Sequence, residues 1–311
     1  YKKFGWTTTF VDPDDPANFK AAITDRTKAI FIESLANPGG VVTDMEAIAK
    51  VAHDAGIVLM VDNTMATPYL CRPFEHGADI IVHSTTKFLS GNGSSMGGVV
   101  IDSGAYDWFQ NDKYPSLTSP AAEYHGLTFA ETFGNLSYTL YGHAVGLRDL
   151  GASQSPMNAY LTLLGIETLP LRMERHCANA QAVAEHLSAH DAVSWVSYAG
   201  LKDDKYHELA AQYLPKGAGA VFTFGLKGGF DAGIAFVEAL DLFSHLANIG
   251  DSRSLVIHPA STTHRQLSEA QQTAAGAGPD VVRLSIGIES IDDIIADLSQ
   301  ALDRCASATA A

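Results

Sequence analysis

The sequence predicts an α/β fold, with a mainly parallel sheet covered by helices on both faces and a smaller α+β domain after it. Three observations predict it. Ile57-Val58-Leu59-Met60-Val61-Asp62 is a near-continuous apolar run, the mark of a strand buried on both faces. Strand-like and helix-like stretches alternate between Lys28 and Val82, the rhythm of doubly wound parallel strands joined by right-handed crossovers. Further on, strand candidates are separated by helices without tight parallel crossovers, which reads as α+β. A domain boundary is therefore expected near Gly165, giving domains 1–164 and 165–311.

Taken in order, Thr7-Thr8-Thr9-Phe10-Val11 looks like a strand directly after Tyr1-Lys2-Lys3-Phe4-Gly5-Trp6. Because the chain opens without Met and in mid-pattern, a fragment or one piece of a nicked chain is expected. Lys28–Ser34 reads as a strand ending in the turn Asn37-Pro38-Gly39-Gly40. Thr43 or Asp44 can cap a helix with Met45, Ile48, Ala49 and Ala52 on one face, and Gly56 stops it. A short crossover through Phe74 to Gly77 leads to a strand over Ala78–Val82, and Gly98–Ile101 pairs back. Asp112–Tyr124 carries two prolines and reads as a long loop, Thr128–Leu150 as helical, and Pro156–Ser188 as a helical stretch broken near Gly165 or Pro170. Strands are expected at Val193–Tyr198, Gly219–Leu226 and Val281–Ile286, with a last helix from Ser290.

Composition excludes several classes. A chain of 311 residues with 46% hydrophobic and 18% charged residues is globular with ample core. A net charge of −15 argues against nucleic acid, which is met by basic stripes. Cys71, Cys177 and Cys305 are too far apart for a disulfide framework or a CxxC metal site, which fits a reducing cytoplasm. No apolar run approaches a membrane span, and no signal peptide is visible. His258 and His264 have no Cys or carboxylate at ligand spacing, so no metal is expected.

The chemistry gathers at the ends of apolar strands. His83-Ser84-Thr85-Thr86-Lys87 follows Ile80-Ile81-Val82 and leads into a loop rich in Gly and Ser. Ligands of open α/β sheets sit at such carboxyl ends. Hydroxyls and amides on a tight turn suit a phosphate, and a lysine beside them can serve as a Schiff-base nucleophile or stand as an ordinary surface charge. Asp62 ends another strand, where a carboxylate is costly unless it meets a cation such as a pyridinium nitrogen; the plainer reading is a turn cap. Asn37 could bond a ring hydroxyl or simply form its turn. Arg283, inside Val281-Val282-Arg283-Leu284-Ser285, either clamps a carboxylate or sits in a structural ion pair.

The five ordered motifs Val61–Tyr69, Gly77–Lys87, Leu171–Ala180, His258–His264 and Val282–Glu289 together resemble the Cys/Met-metabolism family of pyridoxal-phosphate enzymes over essentially the whole chain. Ala247-Asn248-Ile249-Gly250-Asp251 and the long segment from Asp107 to Gly126 are similar to the O-acetylhomoserine sulfhydrylase branch of that family. The resemblance implies the type I (aspartate-aminotransferase-like) fold and pyridoxal 5'-phosphate held as a Schiff base on Lys87. Asp62 is then paired with the ring nitrogen, Ser84 and Thr86 bind the phosphate, and Asn37 lies by the ring hydroxyl. It places Arg283, Asn248 and Asn37 at the substrate. The implied activity is γ-replacement in methionine and cysteine metabolism, O-acetylhomoserine with sulfide or a thiol giving homocysteine or methionine and acetate. The alternatives are a γ-lyase, a synthase using O-succinylhomoserine, or an inactive fragment. The family also implies a cytoplasmic homotetramer built as a dimer of dimers, taking small-molecule substrates and neither nucleic acid nor membrane. The start departs from the family, whose N-terminal third, with an inter-subunit arm, a Gly-Met phosphate loop and a stacking aromatic, has no counterpart here.

Overall fold

The computed structural model describes residues 2–309. Its first sheet comprises β1 (Ala29–Glu33), β2 (Val58–Asp62), β3 (Ile80–Ser84) and β4 (Gly98–Asp102), in that spatial order. The first three are parallel and β4 is antiparallel to β3, as expected. Alternate residues divide the two faces. Ile30, Ile32, Leu59, Val61 and Ile81 pack with Met45, Ile48 and Ala52 of the Met45–Asp54 helix, whose first turn is capped by Asp44. Val58 and Ile80 on the other face pack with Trp108, Leu117 and Phe129. Helices therefore cover both faces, as the apolar β2 run predicts.

Four boundaries differ from the sequence reading. Thr7–Val11 forms no strand: the segment is irregular and Phe10 is 92% exposed. Residues of high β-propensity need a partner strand to satisfy their backbone, and none of the described strands pairs with them. Tyr1 lies outside the described residues. The third strand runs from Ile80 to Ser84, two residues later at each end than expected; Asp79 just before it donates its N–H to the Leu59 carbonyl at 2.9 Å, and its carboxylate accepts the Leu59 N–H at 2.8 Å. The stretch 128–150 is not one regular helix but a run of short ones: Phe129–Phe133, a turn Gly134–Leu136, Ser137–Tyr141 and the wider-wound Gly142–Asp149, with Gly134 at φ +55° at the first break. The 112–124 loop contains two helical turns, Pro115–Thr118 and Ala122–Tyr124.

The helical stretch from Pro156 breaks at Thr168, giving helices Pro156–Glu167 and Leu169–Ser188. Pro170 opens the second of these, where its missing N–H has no partner to lose. The second sheet follows: β5 (Val193–Ser197), β6 (Val221–Leu226), β7 (Ser244–His245), β8 (Leu255–Ile257) and β9 (Val281–Ser285), in the order β5-β6-β9-β8-β7. All pairings are antiparallel except β7 with β8. The last helix, Ile291–Thr309, buries Ile294, Leu298 and Leu302 in the main core. Among the described residues no helix is long and apolar enough to cross a membrane.

Candidate active site

Lys87 lies three residues beyond the end of β3, in the turn Thr85–Leu89. Its backbone (φ −91°, ψ −132°) is the one non-helical point in that turn. The turn is seated by close packing. Gly250, at φ +73°, has no side chain to spare: a Cβ there would stand 2.7 Å from the Phe88 nitrogen. Thr86 Oγ1 accepts the Gly97 N–H at 3.1 Å, which ties the turn to the glycine-rich loop.

The Lys87 ammonium donates to Asn248 Oδ1 at 2.6 Å. Burial lowers its pKa, and the Arg283 charge lowers it further. Arg283 comes from the middle of β9, opposite Thr223 of β6 and Ile257 of β8. Its guanidinium donates to the Asn248 carbonyl at 3.2 Å and to Asn37 Oδ1 at 3.3 Å. No carboxylate pairs with it among these contacts, so the ion-pair reading of Arg283 finds no support. Lys87, Asn248, Arg283 and Asn37 thus form one hydrogen-bonded chain from the first sheet to the second.

Asp62, Ser84 and Thr86 make no direct hydrogen bond to the Lys87 side chain among the described residues. Asp62 is opposite Glu33 in β1 and Val82 in β3. Its Oδ1 accepts the Thr64 N–H at 2.8 Å, while no partner is seen for Oδ2 among the described residues. The Ser84 N–H donates to Thr64 Oγ1 at 2.8 Å, and its own hydroxyl has no partner among them either. Sequence reasoning missed Thr64, which joins two strand ends. It also missed Glu33, whose carboxylate accepts the Asn37 N–H at 2.9 Å and is raised in pKa by burial and then by the Asp62 charge. The signal for Glu33 was available: like Asp62, it is a carboxylate closing an apolar strand.

Comparison with known proteins gives this arrangement its family. The family profile described as Cys/Met metabolism PLP-dependent enzyme matches residues 1–303. The chain belongs to that family. This PLP-dependent enzyme is 51% identical over 303 residues to a homocysteine synthase of Schizosaccharomyces pombe, covering 97% of this chain and 71% of that one. It is 49% identical to an O-acetyl-L-homoserine sulfhydrylase of Leptospira meyeri, covering 97% of this chain and 70% of the relative. A crystal structure from Campylobacter jejuni, assigned as an O-acetylhomoserine (thiol)-lyase and containing pyridoxyl-lysine monophosphate, superposes with a TM-score of 0.92 at 42% identity. It is matched over 97% of this chain and 72% of its own length. The fold is therefore the type I pyridoxal-phosphate fold, and the cofactor is pyridoxal 5'-phosphate.

The residues present fit that group. The Asp62 carboxylate oxygen without a partner among the described residues suits a protonated ring nitrogen, the Ser84 hydroxyl likewise suits a phosphate oxygen, and Lys87 is an amine of lowered basicity.

Proposed function

We propose that this protein is an O-acetylhomoserine sulfhydrylase. It exchanges the γ-acetoxy group of O-acetylhomoserine for sulfide, giving homocysteine and acetate, or for a thiol, giving a thioether such as methionine. The observation that carries the reading is the hydrogen-bonded chain from Lys87 through Asn248 to Arg283, in a chain about half identical to sulfhydrylases along nearly its whole length.

Lys87 would hold the cofactor covalently through Nζ, with Asp62 against the ring nitrogen, Ser84 and Thr86 on the phosphate and Asn37 beside the ring hydroxyl. Pyridoxal phosphate, when bound, supplies an electron sink for charge developing at the substrate's α-carbon. The chain's own groups supply the rest. Arg283 offers the substrate carboxylate a planar two-donor fork, steadied by its bonds to Asn37 and the Asn248 carbonyl. With the carboxylate held there, the Cα–H bond is oriented relative to Lys87. Once the substrate's amino group has taken its place on the cofactor, the freed Lys87 Nζ would take the α-proton, a task favoured by its lowered pKa, and Asn248 Oδ1 would accept a hydrogen bond from the resulting ammonium. Loss of a proton from Cβ then lets acetate leave Cγ with the C–O bonding pair, the Cβ–H pair becoming the Cβ–Cγ double bond; sulfide adds at Cγ, and protons return to Cβ and Cα to give the homocysteine product.

We further propose a division between a cofactor-binding domain, 1–164, and a small domain, 165–311, which falls in the last turn of the Pro156–Glu167 helix, just before the break at Thr168. The protein is proposed to act in the cytoplasm as a homotetramer of two close dimers. Acetate release measured with and without sulfide tests the activity, and O-acetylhomoserine should be preferred to O-succinylhomoserine. Lys87→Ala is expected to abolish both turnover and the visible absorbance of the bound cofactor. Release of ammonia and an oxo acid at full rate without sulfide would favour a γ-lyase instead.

A further inference from the structure

The long helix Leu169–Ser188 carries three buried polar side chains on one face, Arg172, His176 and Asn179, at spacings of four and three residues. Apart from the Arg172 Nε bond to Thr168 Oγ1 at 3.1 Å, their bonds go to backbone carbonyls in the lysine turn, at Gly165 and just after β9. Arg172 donates to the carbonyls of Phe88 at 2.8 Å, Leu89 at 3.4 Å and Gly165 at 2.7 Å. Phe88 follows Lys87 directly. One turn along the helix, the His176 ring meets the Phe88 ring edge-on with centroids 5.2 Å apart. Its Nδ1 stands 2.7 Å from the Ile286 carbonyl, so that nitrogen carries the proton and donates. Asn179 Nδ2 donates to the carbonyls of Gly287 and Glu289, both at 3.0 Å. Residues 286–289 continue directly from β9, the strand of Arg283.

A guanidinium buried against carbonyls, with no carboxylate among these contacts, is an expensive way to fill space, since an apolar side chain of like volume packs without a desolvation cost. What the polar face does, and an apolar one could not, is fix two backbone segments at a set distance. We propose that Arg172, His176 and Asn179 are positioning residues that set the separation of Lys87 from Arg283, and so the alignment of the α-proton with its base. This rests on the proposed roles of Lys87 and Arg283. Both must reach one small substrate at once, and a misplacement of about 1 Å can cost on the order of 100-fold in rate.

The two ends of the brace act on different steps, which makes the inference testable in the holoenzyme. Arg172→Lys loses the planar fork over the lysine turn. It is expected to lower kcat about 10- to 100-fold with little change in KM. It should also move the pH midpoint at which the visible band of the bound cofactor changes, a readout independent of turnover. Asn179→Ser releases the segment after β9 and should chiefly raise KM for O-acetylhomoserine, because Arg283 holds the carboxylate in ground and transition states alike. Melting temperatures of both variants are taken alongside. If Arg172→Lys does not fold, the KM effect of Asn179→Ser decides alone. Lowered melting temperatures with wild-type kcat, KM and spectral midpoint would overturn the inference. Failure of the wild-type protein to show a visible band that Lys87→Ala removes would instead overturn the assignment of Lys87, so the two failures are distinct.

Discussion

At Lys87 two influences push the same way: partial burial disfavours the ammonium, and the Arg283 charge repels it. Asp62 works in the opposite sense, offering an unpartnered oxygen to a cation. Replacing it with Asn keeps the shape and removes the charge. Asp62→Asn is expected to retain cofactor while slowing α-proton exchange about 10²- to 10³-fold, followed by loss of deuterium from labelled substrate. An unchanged exchange rate would exclude the role. His176 makes a different test, of stability. Burial pushes its pKa down to about 4, against 6.5 for the free side chain, so folding favours the neutral ring. The stability this contributes is complete above pH 6.5 and is lost as pH falls towards 4, on the order of 3 kcal/mol in all. His176→Gln should therefore flatten the fall in urea midpoint between pH 7 and pH 4.5 relative to the parent protein. Lys87, Asp62, Asn37 and Arg283 were legible because a polar residue in or just after an apolar strand must be explained. Asn248 was legible only through resemblance. Thr64 and Arg172 were not singled out, since the contacts that tie them to the site, to Ser84 for one and Phe88 for the other, are 20 residues away or more.

The element that matters most is the five-residue turn Thr85–Leu89, held by packing more than by its own bonds. Gly250 is one seat. Ala there would take a left-handed φ and drive a methyl to 2.7 Å from backbone nitrogen and 2.9 Å from the Phe88 ring. Gly126 has a similar φ of +83° and nothing within 4 Å, so it isolates the backbone penalty. Gly126→Ala is expected to cost about 1 kcal/mol and Gly250→Ala about 2–3 kcal/mol in a denaturant titration, with only the second weakening cofactor retention. Equal costs would mean that the turn is not seated on Gly250. Strands were legible in proportion to their hydrophobic length. β1 to β6 and β9 were read within two residues of their ends. β7 and β8, of two and three residues, are too short for any period to register, and their place comes from pairing across the sheet. The 112–124 segment, read as a loop, holds two helical turns, and its aromatics anchor it. Trp108 just before it stacks on Tyr138 at 5.5 Å, and the Tyr114 hydroxyl accepts the Val58 N–H at 3.0 Å and donates to the Lys28 carbonyl at 2.8 Å.

At the scale of the whole molecule, the helix Pro156–Glu167 is apolar nearly all round. Met157, Tyr160, Leu163, Leu164 and Ile166 are exposed on it, and Leu171 stands 71% exposed on the next helix. Monomers rarely leave a contiguous apolar face of this kind in water, and a helix hydrophobic on every side is normally buried. Its inner side is already committed, because a Cβ on Gly165 would meet the Leu89 and Ser90 carbonyls at 2.4 Å. The outer side of this helix therefore lies one layer from the lysine turn, and whatever covers it bears on that turn through Gly165. A second copy of the chain is the covering expected of a homotetramer. Light scattering on the protein should give four subunits. Leu163→Asp, on the exposed side, should reduce the assembled mass and, on dilution, lower cofactor retention along with it. A tetramer unaffected by that charge would place the contact elsewhere. A monomer that keeps full activity at high dilution would show that the site needs no neighbour.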